Sequence, residues 1–139
     1  METQKKTHSL LSRVRLIAYW IFTGLMALEY VAAATWCFGW LNKGSYSQLM
    51  KQIGFPVYFP YILGTAFLLA TPVILLPRLR LLKEWAYFGV AMIYIGGITC
   101  HLYVGSEVKS IFPAFIFLSF TIASWALRPL SRRFQRYAV

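Results

Sequence analysis

Apolar residues fall in four long stretches along the chain, over residues of about 16–41, 57–76, 84–104 and 110–127. The third stretch is the clearest, because no charged side chain lies between Glu84 and His101. A helix over that interval is about long enough to cross a ~30 Å hydrocarbon core. The pattern predicts an all-α transmembrane four-helix bundle that forms a single membrane domain over residues 1–139.

The connection between the first two stretches has an amphipathic pattern. Its larger side chains recur at i, i+3, i+4 and i+7, which is the spacing of one helical face: Tyr46, Leu49, Met50 and Ile53. We therefore expect a short interfacial helix in this first external loop.

The start of the first stretch resembles a secretory signal, since basic residues precede an apolar run and Ala32-Ala33-Ala34 offers a cleavage site. The apolar run nevertheless continues through Trp36, Phe38 and Trp40, an aromatic belt typical of a membrane interface. We therefore expect an uncleaved helix that follows a polar cytoplasmic leader over residues 1–15.

The composition supports a membrane protein. Hydrophobic residues make up 59% of the chain and charged residues only 13%, whereas a soluble domain typically carries about 25% charged residues. A length of 139 residues leaves no room for a soluble catalytic domain beside four spans. Any function is therefore expected within the bundle.

The formal net charge of +10 is concentrated at the ends of the apolar stretches. Eleven of the fourteen basic residues precede the first stretch, separate the second from the third, or follow the last: Lys5, Lys6, Arg13, Arg15, Arg78, Arg80, Lys83, Arg128, Arg132, Arg133 and Arg136. The other two connections hold only Lys43, Lys51 and Lys109. The positive-inside rule then places both termini in the cytoplasm, with the chain in the plasma (inner) membrane. We assign the basic residues to lipid headgroups of the bilayer rather than to nucleic acid.

Glu29 stands near the middle of the first apolar stretch, where a carboxylate costs roughly 2.5–3.5 kcal/mol on insertion scales. Phe22, Ala33 and Trp36 share its helical face. Two interpretations stay open. Glu29 is either a proton-carrying or ligand-orienting group in the bundle interior, or a protonated acid that is hydrogen-bonded to a Tyr or Ser of a neighbouring helix.

Tyr87, Tyr94 and His101 recur at seven-residue steps in the third stretch, so they fall within about 40° of one another around a helix. Turning them or Glu29 toward lipid is unfavourable, so we expect all four to face the interior and line one continuous polar cavity. Room for a ligand beside His101 comes from three glycines: Gly96, Gly97 and Gly105. These four polar residues are the candidates for ligand binding or proton transfer.

Glu84 and Trp85 begin the third stretch close to Arg78, Arg80 and Lys83. A carboxylate in the first turn is favoured by the helix dipole, and it can pair with a nearby arginine. We expect Glu84 and Trp85 to act as a structural anchor at the inner membrane boundary.

Cys37 and Cys100 each precede the outward end of a span by a few residues. A disulfide, a redox-active pair and two unrelated buried thiols are all compatible with that placement, and separate thiols are the preferred interpretation. Besides them, His101 and, across the predicted membrane, His8 are the chain's only histidines that could serve as zinc ligands. We therefore expect no metal site.

A set of short motifs runs in order along the chain: Ile53-Gly54-Phe55-Pro56, Tyr58-Phe59, Ile62-Leu63-Gly64, Pro77, Leu82-Lys83-Glu84-Trp85-Ala86-Tyr87-Phe88-Gly89, His101 with Gly105, and Leu127-Arg128-Pro129. The segment Lys-Glu-Trp-Ala-Tyr is the most specific of them. Over residues 19–129 this set resembles the DoxX-like membrane proteins.

The resemblance implies a four-helix integral membrane protein, bacterial in most cases, whose activity is mostly unassigned. Relatives in the wider family suggest two directions, a membrane subunit linked to thiosulfate-to-quinone electron transfer and a chaperone for neuronal receptor assembly. Family members often have Gly-Asp after the histidine, whereas here Ser106 and then Glu107 follow Gly105. An acidic role at that turn would need a one-residue shift.

Two function classes follow. In the first, a quinone-like or lipid ligand of a redox-linked process enters between helices near the outer leaflet and meets His101, while Tyr87, Tyr94 and Glu29 extend the polar track inward. In the second, the chain is a non-enzymatic interaction or chaperone protein with a membrane-protein partner and a purely structural polar core. The sequence has no recognisable motif for flavin, haem or an iron–sulfur cluster. Whether the chain is an enzyme stays open.

Overall fold

The structure is a computed structural model that describes residues 2–41, 43, 45–129 and 132, with the backbone alone at residues 2–9, 11 and 45. The described residues form five helices and no strand: α1 (Glu2–Cys37), α2 (Ser45–Gln52), α3 (Phe59–Leu75), α4 (Arg80–Tyr103) and α5 (Val108–Leu127). The prediction of an all-α fold is therefore confirmed.

Three of the described helices are long and apolar enough to cross a membrane: Ser12–Cys37 within α1, the whole of α4 and the whole of α5. The helix α3 is also apolar but has only 17 residues. Pro60 lies in its first turn, where a proline is well tolerated. The chain leaves the helix just before Pro77, because the residue that precedes a proline disfavours helical dihedrals.

Several helix ends differ from the predicted boundaries. Helix α1 ends at Cys37 rather than near residue 41, because Gly39 adopts a left-handed φ of 77° that stops the helix. At its other end α1 already begins at Glu2, so the residues predicted as a leader continue this helix. Helix α4 begins at Arg80 rather than at residue 84, and α5 begins at Val108 rather than at residue 110.

The long helices pack side by side around one core. Helix α1 contacts α3 and α5, and α4 contacts the same two helices, so α1 and α4 face each other across the bundle. Buried side chains from these helices include Met26, Tyr30, Phe67, Ile74, Tyr87, Val90 and Tyr94. Two of the polar residues predicted to face inward, Tyr87 and Tyr94, thus lie in a mixed core of aromatic and aliphatic groups.

Gly64 sets the spacing between α1 and α3. A Cβ atom at this position would lie 3.0 Å from the Cβ of Cys37 and 3.2 Å from the ring of Phe38. Such distances are shorter than ordinary van der Waals contact, so the two helices approach closely only because residue 64 has no side chain.

The amphipathic pattern of the first connection forms α2, which contacts α3 and α1. Met50 of this helix is buried, whereas Leu49 is exposed. Gly54 then turns the chain with a φ of 94°, and the stacked rings of Phe55 and Phe59, 4.3 Å apart, join this turn to α3. Helix α2 is thereby fixed over one end of the bundle.

Basic side chains cap the last turn of α3. The Nζ atom of Lys83 donates a hydrogen bond to the carbonyl oxygen of Ile74, and Nη1 of Arg132 donates to that of Leu75 at 3.0 Å. The last carbonyls of a helix lack intrahelical partners and carry partial negative charge, so both contacts are favourable. Lys83 is completely buried by its contact, although the sequence placed it among the charged residues of a connection.

The last turn of α5 is capped in the same way, because Nη2 of Arg15 donates to the carbonyl oxygen of Ala126 at 3.1 Å. The ends of α3 and α5 and the start of α4 therefore share one basic end of the bundle, which we call the basic end. Arg133 and Arg136, which the sequence predicts as members of this group, lie outside the described residues. The side chains of Lys5 and Lys6, two further predicted members, are also outside the description.

Candidate functional site

Tyr87 belongs to a buried hydroxyl cluster where α1, α4 and α5 meet. The Oγ atom of Ser124 lies 2.8 Å from the hydroxyl of Tyr87 and 2.8 Å from Oγ1 of Thr23. All three side chains are buried. Because the hydroxyls satisfy one another, the cluster removes the cost of burying polar groups and fixes the three helices relative to one another.

Glu29 and Tyr94 form a second polar contact across the bundle, in which Tyr94 is buried and Glu29 is partly buried. The hydroxyl of Tyr94 on α4 donates a hydrogen bond to Oε2 of Glu29 on α1. Glu29 is therefore hydrogen-bonded to a tyrosine of another helix, which is the contact that the second interpretation of this residue required. Its position inside the bundle also satisfies the expectation that it avoids lipid.

His101 lies in the last turn of α4, close to the turn that leads into α5. Gly105 there adopts a φ of 67°, a left-handed conformation that suits glycine and reverses the chain. As a result the backbone N–H of Ser106 donates to the carbonyl oxygen of His101 at 2.9 Å. The hydroxyl of Ser106 lies 3.0 Å from Nδ1 of the imidazole. Ser106 therefore holds the orientation of the ring.

A cleft of about 320 Å³ opens beside His101. It lies between α3 and α4 and is covered by α2 and the turn that follows α2. Its lining is mostly apolar: Tyr46, Met50, Ile53, Phe55, Phe59, Leu63, Gly89, Met92, Ile93, Gly96, Gly97, Cys100 and His101. A largely apolar pocket of this size with a few polar groups is typical of a site for a small hydrophobic ligand.

Glycines form the floor of this cleft on α4. A Cβ atom added at Gly89, Gly96 or Gly97 would meet no other group within 4 Å. Of the three glycines named from the sequence, Gly96 and Gly97 line the cleft beside His101 and Gly105 does not. Gly105 instead makes the turn that brings Ser106 back to His101.

Tyr46 of α2 is the second aromatic polar group of the cleft, and the sequence did not single it out as a site residue. Burial raises the pKa of the Tyr46 phenol, and the nearby Cys37 and Glu29 act in the same direction. The hydroxyl therefore stays protonated and able to donate a hydrogen bond. The signal that could have identified Tyr46 was its place on the apolar face of the predicted interfacial helix.

The candidate residues named from the sequence do not line one common cleft. His101 lines the cleft under α2, whereas Tyr87 and Glu84 line a separate cleft of about 370 Å³ between α4 and α5. Glu29 and Tyr94 are among the lining residues of neither. Neither of these two clefts therefore brings the four residues together, and one continuous polar cavity stays a prediction.

Glu84 is held by the C-terminal end of α5. Nη2 of Arg128 lies 2.7 Å from Oε1 of Glu84, and Nε1 of Trp125 donates to Oε2 at 2.9 Å. The arginine partner expected from the sequence is thus present, but it comes from the far end of the chain rather than from the basic residues beside Glu84. Trp85 is 72% exposed on the outer surface of α4, a position that suits a membrane interface.

Cys37 and Cys100 are free thiols in the structure, the first buried and the second partly exposed in the cleft. Among the residues described, His, Cys, Asp and Glu side chains form no group of three that could hold a metal ion. The cleft lining thus includes an imidazole, a phenol and one thiol, those of His101, Tyr46 and Cys100.

Comparison with known proteins adds a family. Neither curated proteins nor solved structures give a match to this chain. A model of the DoxX-like family matches residues 21–124, which include the cleft, the hydroxyl cluster at Ser124 and the Glu29–Tyr94 pair, but not Trp125 and Arg128. The long apolar helices and this match both fit a membrane protein. The chain belongs to the DoxX-like family.

Proposed function

We propose that the chain is a four-span protein of the plasma (inner) membrane with both termini in the cytoplasm. The fourth span is α3, whose 17 residues would extend roughly 25 Å and fall at the short end of known transmembrane helices. The clustering of Lys83, Arg15, Arg128 and Arg132 at the basic end supports a cytoplasmic location of that end. The rest of the outer surface then contacts the lipid bilayer.

Its function in this proposal is to bind a hydrophobic ligand, quinone-like or lipid, in the cleft under α2. The observation that carries the proposal is the composition of the cleft, where apolar side chains and glycines surround His101 and Tyr46. His101 contacts the polar part of the ligand. Glu29 and Tyr94 support the helices beneath it, and a role in carrying a proton from the ligand belongs to His101 rather than to them. The redox-linked process is supported by the family resemblance alone.

A second candidate function is that of a non-enzymatic interaction or chaperone protein. It is favoured by two hydrogen bonds within the chain, because these give the polar groups of the core partners of their own. The first joins Tyr94 to Glu29, and the second joins Tyr87 to Ser124. These contacts need no substrate to explain them. In this case the partner is another membrane protein, and the cleft is filled by lipid without selection.

A matched pair of glycine variants tests the ligand hypothesis. Gly96→Leu fills the floor of the cleft, whereas Gly24→Leu adds the same side chain at an open position of α1 away from the cleft. The protein is purified in lipid nanodiscs and its extracted lipids and quinones are measured by mass spectrometry. We expect a molecule enriched over the surrounding membrane in the unmodified chain and in Gly24→Leu, and lost at least about tenfold in Gly96→Leu. Equal content in all three would favour the interaction function.

A further inference from the structure

The charge of the cleft limits what it can hold. Its described lining contains no Lys, Arg, Asp or Glu side chain. The basic side chains of Arg15, Lys83 and Arg132 cap the ends of helices, and all three lie at the opposite, basic end of the bundle. A phosphate, carboxylate or ammonium group in this cleft would lose its water without gaining an opposite charge, which is strongly unfavourable.

The polar groups of the cleft suit one neutral oxygen. Nδ1 of His101 is engaged by the hydroxyl of Ser106 at 3.0 Å, and within the described part of the chain Nε2 has no such partner. The serine hydroxyl can donate to Nδ1 or accept from it, so Nε2 can either donate to a carbonyl or accept from a hydroxyl. Tyr46 of α2 adds a phenol, a second group able to donate, to the lining of the same cleft.

The shape of the cleft suits one extended chain. Gly89 and Gly96 lie seven residues apart and therefore share one face of α4. From Gly89 to His101 the helix rises about 18 Å, and an added Cβ at either glycine would meet open space. The polar groups stand at the His101 end, and the apolar track runs from there toward the middle of the helix. Two acyl chains side by side would need a second track of this kind.

From these observations we propose that the cleft selects an uncharged single-chain amphiphile of the membrane, whose carbonyl or hydroxyl oxygen meets His101 and Tyr46 while its chain follows Gly96 and Gly89. This inference rests on the proposed ligand-binding function and names the class of ligand. The molecule enters sideways from the bilayer with its head at the membrane surface. Phospholipids are excluded by both their charge and their second chain.

Chain-matched probes test this selection in the full-length protein in nanodiscs. Hexadecan-1-ol, methyl hexadecanoate and hexadecane-1-sulfonate have the same chain length and differ in charge and in the type of oxygen. We expect the alcohol and the ester to displace labelled hexadecan-1-ol, and the sulfonate to compete at least about tenfold more weakly. His101→Phe should weaken the alcohol and the ester about two- to tenfold, the equivalent of one hydrogen bond, without changing the affinity for the sulfonate.

The glycine variants separate failure of this inference from failure of the proposed function. If the sulfonate competes as well as the alcohol, and Gly96→Leu abolishes both while Gly24→Leu abolishes neither, the cleft binds ligands but does not select uncharged ones. If Gly96→Leu changes the binding of no probe, the cleft is not the binding site and both ideas are wrong.

Discussion

Polar side chains inside this bundle are held by partners from distant parts of the chain. Glu84 is a clear case, because its two carboxylate oxygens accept from Arg128 and Trp125 of α5. Arg128 is 2% exposed and Glu84 is 33% exposed, and the guanidinium also lies 5.0 Å from the centre of the Tyr87 ring. A charge as buried as that of Arg128 needs a counter-charge.

Glu84→Gln is therefore expected to lower the free energy of unfolding by about 1–3 kcal/mol, less than for a fully buried pair because Glu84 is partly exposed. Thermal or denaturant unfolding of the purified protein measures the change. Glu107→Gln is the control, since Glu107 is exposed and precedes α5 at the other end of the helix. If Glu84→Gln left stability and abundance unchanged, Glu84 would not be a structural anchor.

Contacts between whole helices depend on how closely their backbones approach. Gly64 places α3 directly against Cys37, the last residue of α1, and Phe38, which follows it. In a membrane the association of helices relies on this kind of close packing, because lipid tails are as apolar as the side chains. The short helix α3 has fewer turns with which to compensate for a lost contact.

Gly64→Ala should accordingly destabilise the protein by about 1–3 kcal/mol, since the added methyl group must displace Cys37 or the ring of Phe38. Gly24→Ala provides the matched control, because an added Cβ there meets nothing within 4 Å and alanine favours the helix. The midpoints of thermal unfolding in the same detergent give the comparison. Equal midpoints for the two variants would mean that Cys37 and Phe38 accommodate the added methyl group without cost, and that the close approach at Gly64 is not needed for stability.

The helices themselves could be predicted because their signals are local. Each signal acts within a few residues of the structure that it determines. Examples are the runs of apolar residues, Pro77 after α3, and the helical spacing of Tyr46, Met50 and Ile53. The partners inside the bundle could not, since they depend on how each helix is rotated. Arg128 lies 44 residues from Glu84, and no period in the sequence connects the two. For the same reason the seven-residue spacing of Tyr87, Tyr94 and His101 located one face of α4 correctly but not the separate environments of the three side chains.

The bundle as a whole has two unlike ends. At the basic end, Lys83 and Arg132 cap α3 and Arg15 caps α5. The other end holds α2, the cleft and the turn at Gly105. Such an asymmetry of positive charge is the main determinant of orientation in a bilayer.

Reporter fusions test the orientation that follows. A fluorescent protein that folds only in the cytoplasm should be active at both termini, whereas alkaline phosphatase should be active when inserted after Ser106 and inactive at either terminus. The expected pattern places both termini and the Pro77–Arg80 connection on the cytoplasmic side. Phosphatase activity at either terminus would contradict it. Insertion after Pro77 is the internal control, because it should give cytoplasmic fluorescence.

The hydrogen bond between Tyr94 and Glu29 also has a consequence for how the protein is made. Its two ends are 65 residues apart in the chain, and a ribosome adds that length in roughly 3 to 13 s at ~5–20 residues per second. During this interval α1 has already been synthesised, whereas Tyr94, the partner of Glu29, has not. The Glu29–Tyr94 pair can therefore form only after α4 has been synthesised, so the contact that joins α1 to α4 is a late event in the assembly of the bundle.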